Sequence, residues 1–102
     1  MKTSLDLNKD NYYYQNCMGK YDRLLITILS GRSDQTIRFI ELTHLLNALG
    51  FDERIKGDHH IFYRQGIEEI LNLQPKGSHA KPYQVKQVRN LVIKYQLEVQ
   101  NG

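Results

Sequence analysis

One cysteine, two prolines, no tryptophan and no long apolar run are found among the 102 residues. Each shortage excludes something. The lone Cys17 cannot close a disulfide within the chain, which argues against a stapled secreted scaffold and for a reducing compartment. No positively charged start leads into an apolar stretch of the kind that makes a secretory leader or a membrane span, so the expected location is the cytoplasm, with no membrane partner. Low-complexity tracts and internal repeats are also missing, and the length suits one small domain with a single core. The net charge of +3 and the pI near 9.0 are too mild to demand a polyanionic partner. Distribution says more than the sum. Between Ile70 and Leu97 the chain carries Lys76, Lys81, Lys86, Arg89 and Lys94 and no acidic residue, so that region is where a polyanion would settle.

What is present is a sequence of periods. Residues 1–20 have none that persists and read as an extension, a disordered tail or a loosely docked segment. Tyr12, Tyr13 and Tyr14 in it could stack on bases, but aromatic residues in an extension more often anchor it to its own domain. In "YDRLLITILSG", Leu24, Leu25, Ile28 and Leu29 fall on one helical face, with Asp22 near the start and Gly31 placed to end the helix. Residues 21–36 are therefore expected to form an accessory helix and a linker. Next, Leu42, Leu45, Leu46 and Leu49 repeat at helical spacing up to Gly50, after which Phe51 can fold back on them. The period then shortens toward two: "FDERIK" and "HHIFYR" predict strands, "RQG" at 64–66 a turn, and "IEEILNLQ" a third, less regular strand. Residues 74–81 read as a loop. Pro82 suits the first turn of a closing helix whose apolar face is Val85, Val88, Val92 and Tyr95. Strands grouped between helices predict an α+β fold, a three-stranded antiparallel sheet with helices across one face and the other face open.

"KGDHHIF" raises the question of chemistry. Successive strand residues point to opposite faces, so only one of His59 and His60 can stand on the open side. Gly57 allows a tight strand entry and close backbone approach by a ligand, and Asp58 could orient an imidazole or hold it protonated. An imidazole exchanges protons near neutral pH, which suits general acid or base work on a ribose hydroxyl. Taken alone, a Gly-Asp-His-His turn is more often a structural feature, with one histidine satisfied by backbone hydrogen bonds. Zinc is a poorer reading, because His44, His59, His60, His79 and Cys17 show none of the short-gap pairing of zinc sites and neighbouring histidines on a strand diverge.

From Phe39 to Leu97 the chain resembles the HicA family of bacterial toxins, with "ELTHLLNALGF", "KGDHHIFYR", "LQPKG" and "KPYQVKQVRNLVIKYQL" standing in the family's order. The resemblance implies a fold similar to a double-stranded-RNA-binding domain, α-β-β-β-α, over residues 37–99 with an extra helix before it. It implies a metal-independent, ribosome-independent mRNA endoribonuclease needing no cofactor, and a HicB-like antitoxin partner that covers the active face. The family's catalytic histidine falls on His59, or on His60 if the register slips by one. Lys56, Gly57, Lys76, Lys81, Lys86 and Arg89 are the expected RNA contacts. Where the family has a serine before the histidine this chain has Asp58, whose charge would repel a phosphate. Where a second family histidine often follows the proline of the third strand, Lys76 and Gly77 stand instead.

The residues support RNA independently. A basic helix beside an open sheet suits the shallow minor groove and backbone of an RNA helix, read by shape. Two other readings compete: a non-catalytic RNA-binding domain of the same fold, silenced by Asp58, and a DNA-binding winged helix. The helix from Ile40 to Leu49 offers the latter little positive charge for a major groove.

Overall fold

The computed structural model describes residues 18–100. The expectations for the three adjacent tyrosines and for Cys17 lie outside the described residues. Helix α1 spans Lys20–Ser30, α2 Phe39–Ala48 and α3 Pro82–Tyr95, with strands β1 (Asp52–Lys56), β2 (His59–Tyr63) and β3 (Leu71–Leu73) between the last two helices. The fold is α+β, as the periods predict. Among the described residues no helix is long and apolar enough to cross a membrane.

In α1, Asp22 accepts a hydrogen bond from the Gly19 amide at 3.1 Å and so satisfies a donor at the helix start. Gly31 closes the other end at φ 72°, the left-handed conformation that a residue with a Cβ resists. The inward face is Tyr21, Leu24, Leu25 and Ile28, with Ile28 fully buried. Leu29, expected on that face, is 41% exposed. One position past Ile28 lies 100° round the helix, and Tyr21, three residues before Leu24, takes the place instead. The helix is not an appendage, because Ile28 packs in the same core as Leu42, Leu45, Leu46 and Leu49 of the next helix region.

Residues 37–39 then run beside 78–80. The Ala80 amide donates to the Ile37 carbonyl at 2.9 Å and the Phe39 amide to Ser78 at 3.0 Å, so the start of α2 is tied to the loop before α3. Gly50 turns the chain at φ 94°, and the Phe51 amide folds back to the Leu46 carbonyl at 3.0 Å.

The sheet is antiparallel in the order β1-β2-β3. Gly57 and Asp58 join β1 to β2, with φ 63° at the glycine and no positive φ at the aspartate, the pattern of a two-residue type II′ turn. That turn fixes the register: Lys56 opposite His59, Arg54 opposite Ile61, Glu53 opposite Phe62. The inward face holds Phe62, Leu71 and Leu73, all buried against the helices. Asp52, Arg54, Lys56, His59, Ile61, Tyr63 and Asn72 share the outer face, and none is buried.

Strand β3 is shorter than the expected 67–74. The Glu69 carboxylate accepts from Lys94 Nζ and from the Tyr95 hydroxyl, both at 2.6 Å, and the Glu68 amide donates to Tyr95. These bonds draw residues 68–69 to the end of α3 and away from the ladder. Lys94, and then Tyr95, hold the Glu69 carboxyl down to about 2, from an ordinary value of 4.5. A depressed carboxyl stabilises the folded state fully above the unfolded value, and that contribution disappears as pH falls from about 4.5 toward 2. Thermal melts of Glu69→Gln should accordingly fall less steeply than the wild type across that window. Parallel curves would mean that the pairing contributes nothing.

Candidate active site and nucleic-acid interface

His59 opens β2, and the alternation of the strand turns its ring to the outer face, where the side chain is 48% exposed. Its Nδ1 lies 3.0 Å from Asn72 Oδ1 on the neighbouring strand. An amide oxygen only accepts, so this bond requires the proton on Nδ1 and leaves the lone pair of the neutral ring on Nε2. That second nitrogen stands 3.9 Å from Asp58 Oδ1. Asp58 is itself held: Gln74 Nε2 donates to its other oxygen at 2.7 Å. The Gln74 bond lowers the Asp58 carboxyl below its ordinary value, with smaller help from its own backbone amide and from the charges of His59 and Lys81, so the group is an anion at neutral pH. The imidazole is thus fixed on one side and faces a carboxylate and solvent on the other. Such a ring can take a proton at Nε2 and, once charged, be stabilised by Asp58.

His60 takes the opposite face. Its Nδ1 is 2.6 Å from Glu53 Oε2, Glu53 accepts from Asn47 on α2, and the ring meets Phe39 edge-on at 4.9 Å. The pair is four-fifths buried, at 21% and 19% exposure. The alternative catalytic position is therefore corrected: His60 joins sheet to helix, away from the outer surface that His59 occupies.

The expected cations divide. Lys56 pairs with His59 across the hairpin and shares its face, while Gly57 at the tip has no atom outside its chain neighbours within 4 Å of where a Cβ would stand. Lys76 and Lys81 line an open depression of about 600 Å³ with Gln74, Pro75, Pro82 and Tyr83, between the end of β3 and the start of α3. Lys86 is exposed one turn further along α3. Arg89 is spoken for. Its Nη1 and Nη2 donate to the two oxygens of Asp34 at 2.9 and 3.0 Å, and Nη1 also to the Ile28 carbonyl at 3.0 Å, with only 15% of the side chain exposed. The expectation that Arg89 meets RNA is corrected accordingly, since the guanidinium clamps the turn after α1 onto α3. The acid-free stretch recruits its acids from elsewhere, Asp34 for Arg89 and Glu69 for Lys94. Arg89→Ala should cost roughly 2 kcal/mol in urea unfolding, the usual scale for charged hydrogen bonds, and leave RNA affinity within about twofold. A large affinity loss at unchanged stability would return Arg89 to the interface.

Asn72, Gln74 and Tyr83 are absent from the sequence-based candidates. Asn72 has a legible cue, a polar residue between Leu71 and Leu73 that must point outward, but its partnership with His59 exists only once β2 and β3 are in register. Among the described residues no three His, Cys, Asp or Glu side chains converge on a point where a metal ion could sit. Helix α2 carries no Lys or Arg within Phe39–Ala48, so it offers a major groove no positive side chain.

The fold and the site define a small α+β protein with an oriented histidine at the open end of its sheet and lysines around it. No protein-family model, curated protein or solved structure matches the chain.

Proposed function

We propose that the protein is a HicA-like mRNA endoribonuclease, a cytoplasmic toxin that uses His59 as general base and is neutralised by a HicB-like antitoxin. The observation that carries the reading is the setting of His59: outer face, Nδ1 engaged by Asn72, Nε2 presented beside Asp58. Order and spacing of the landmarks from Phe39 to Leu97 support the family.

The reaction needs only groups of this chain and the substrate. Nε2 takes the proton of a ribose 2′-hydroxyl, the 2′-oxygen attacks the adjacent phosphorus, and the bond to the 5′-oxygen breaks. That oxygen leaves with a proton from water, giving a 2′,3′-cyclic phosphate and a 5′-hydroxyl end. Lys81, whose charge reaches Asp58, and Lys76 beside it offset the negative charge that gathers on the phosphate. The outer sheet face is then the surface that an antitoxin would cover.

One observation favours a second reading, a non-catalytic RNA-binding domain. Asp58 is ionised and sits where a scissile phosphate would approach Nε2, so it repels the substrate as well as stabilising the imidazolium. Digestion of RNA in the presence of a chelator, by the wild type and by His59→Ala, separates the two. Cleavage by the wild type alone supports the nuclease; RNA binding without cleavage by either supports the binding domain. Growth arrest on overexpression, relieved by the product of a neighbouring reading frame, would add the antitoxin.

A further inference from the structure

We propose that the depression between β3 and α3 is a subsite for one nucleotide of single-stranded RNA, with its base stacked on Tyr83 and its phosphate between Lys76 and Lys81. This deepens the reading above and rests on it in taking RNA as the ligand. Tyr83 is 60% exposed at the beginning of α3, more than Tyr63, the other exposed tyrosine among the described residues, at 41%. Tyr95, by contrast, spends its hydroxyl on Glu69, and Tyr21 packs on the core. Around the Tyr83 ring the walls are two prolines, two lysines and Gln74, with no carboxylate among them. Pro75 and Pro82 have no amide hydrogen, so that part of the wall offers rigid apolar surface and no donor that needs water. Lys86, three residues after Tyr83, lies on the same side of the helix and extends the positive rim.

The volume of about 600 Å³ lies in the range of sites that take one small ligand. In an A-form helix the base faces are covered by their neighbours, so an exposed ring flanked by cations is useful only to an unstacked base. Gln74 forms part of this wall and also holds Asp58 against His59, so the depression and the histidine share a side chain. The phosphate held between Lys76 and Lys81 is then the one that Nε2 meets, with the base seated on Tyr83 beside it.

The test titrates full-length His59→Ala protein, chosen to slow any cleavage during the titration, with a labelled adenine-rich oligoribonucleotide, single-stranded or annealed to its complement. Tyr83→Ala should weaken single-strand binding by about 5- to 150-fold, the range for loss of one stacked base, and Tyr83→Trp should restore it. Lys76→Ala and Lys81→Ala should each reduce the salt dependence by about 0.7 of a unit in the logarithmic slope. Duplex binding should be weaker and indifferent to Tyr83. Circular dichroism melts of each variant confirm the fold, and Tyr83→Gln replaces the alanine variant if the latter melts early. Single-strand binding that survives the loss of the ring overturns the proposal, as does a preference for the duplex or no binding at all. If the Tyr83 pattern holds while the wild type leaves RNA uncut, the subsite stands and the nuclease reading falls.

Discussion

RNA cleavage by His59→Ala is expected to be slower by about 10²- to 10⁴-fold, the range that a positioned general acid or base contributes. The ring lies on the outer face with half its surface in solvent, so its loss opens no cavity and the melting temperature should hardly move. Asn72→Ala should lose a smaller factor. It keeps the imidazole but removes the acceptor that fixes Nδ1–H, so the ring can turn and the productive nitrogen is presented only part of the time. Rates measured on one RNA in chelator, with the two variants beside the wild type, give the ordering. Identical rates for wild type and His59→Ala would take the imidazole out of the chemistry altogether. Loss of wild-type cleavage in chelator would instead end the metal-independent mechanism.

Phe62→Ala carries the largest expected cost in stability, about 3–5 kcal/mol from lost burial and the cavity left behind. Phe62 is fully buried in the middle strand, with Glu53 opposite on one side and Leu71 on the other. Domains of this size have total stabilities of about 5–15 kcal/mol, so the variant should be partly or wholly unfolded at physiological temperature. Its neighbour Ile61 points to the outer face and is only half-buried, and Ile61→Ala should cost much less. Urea denaturation of the pair measures the contrast directly. Similar midpoints for both variants would mean that the helices do not cover the face assigned to them.

How much of this was legible in the residues depends on the range over which each interaction acts. The helices follow from local periodicity: Leu42, Leu45, Leu46 and Leu49 are buried as their spacing requires, and Val85, Val88 and Val92 likewise. The error at Leu29 is one of phase, where two adjacent apolar residues compete for a single inward position and the neighbouring helices decide. Gly57 and Asp58 mark the hairpin because a two-residue turn has its own residue preferences, and the alternation from there sends His59 and His60 apart. What cannot be read locally is pairing between residues distant in the chain. Arg89 and Asp34 are separated by 55 positions, and nothing near Arg89 announces an acid. The same holds for His59 with Asn72, 13 residues away, and for Glu69, whose attachment to Lys94 and Tyr95 shortens a strand that its own sequence would continue. Charge counted along a segment therefore overstated the free positive surface, since folding supplied partners for two of its five cations.

Among the described residues the strand order leaves β1 at one margin of the sheet, with a row of backbone amides and carbonyls that faces no neighbouring strand. Such a margin invites a second chain to add on, and proteins with an apolar one tend to polymerise. Four of the five residues of β1 are charged, Asp52, Glu53, Arg54 and Lys56, so a copy arriving there would have to strip water from ions all along the seam. The charges of β1 thus discourage edge-to-edge pairing along the same short strand that carries Lys56 to the side of His59.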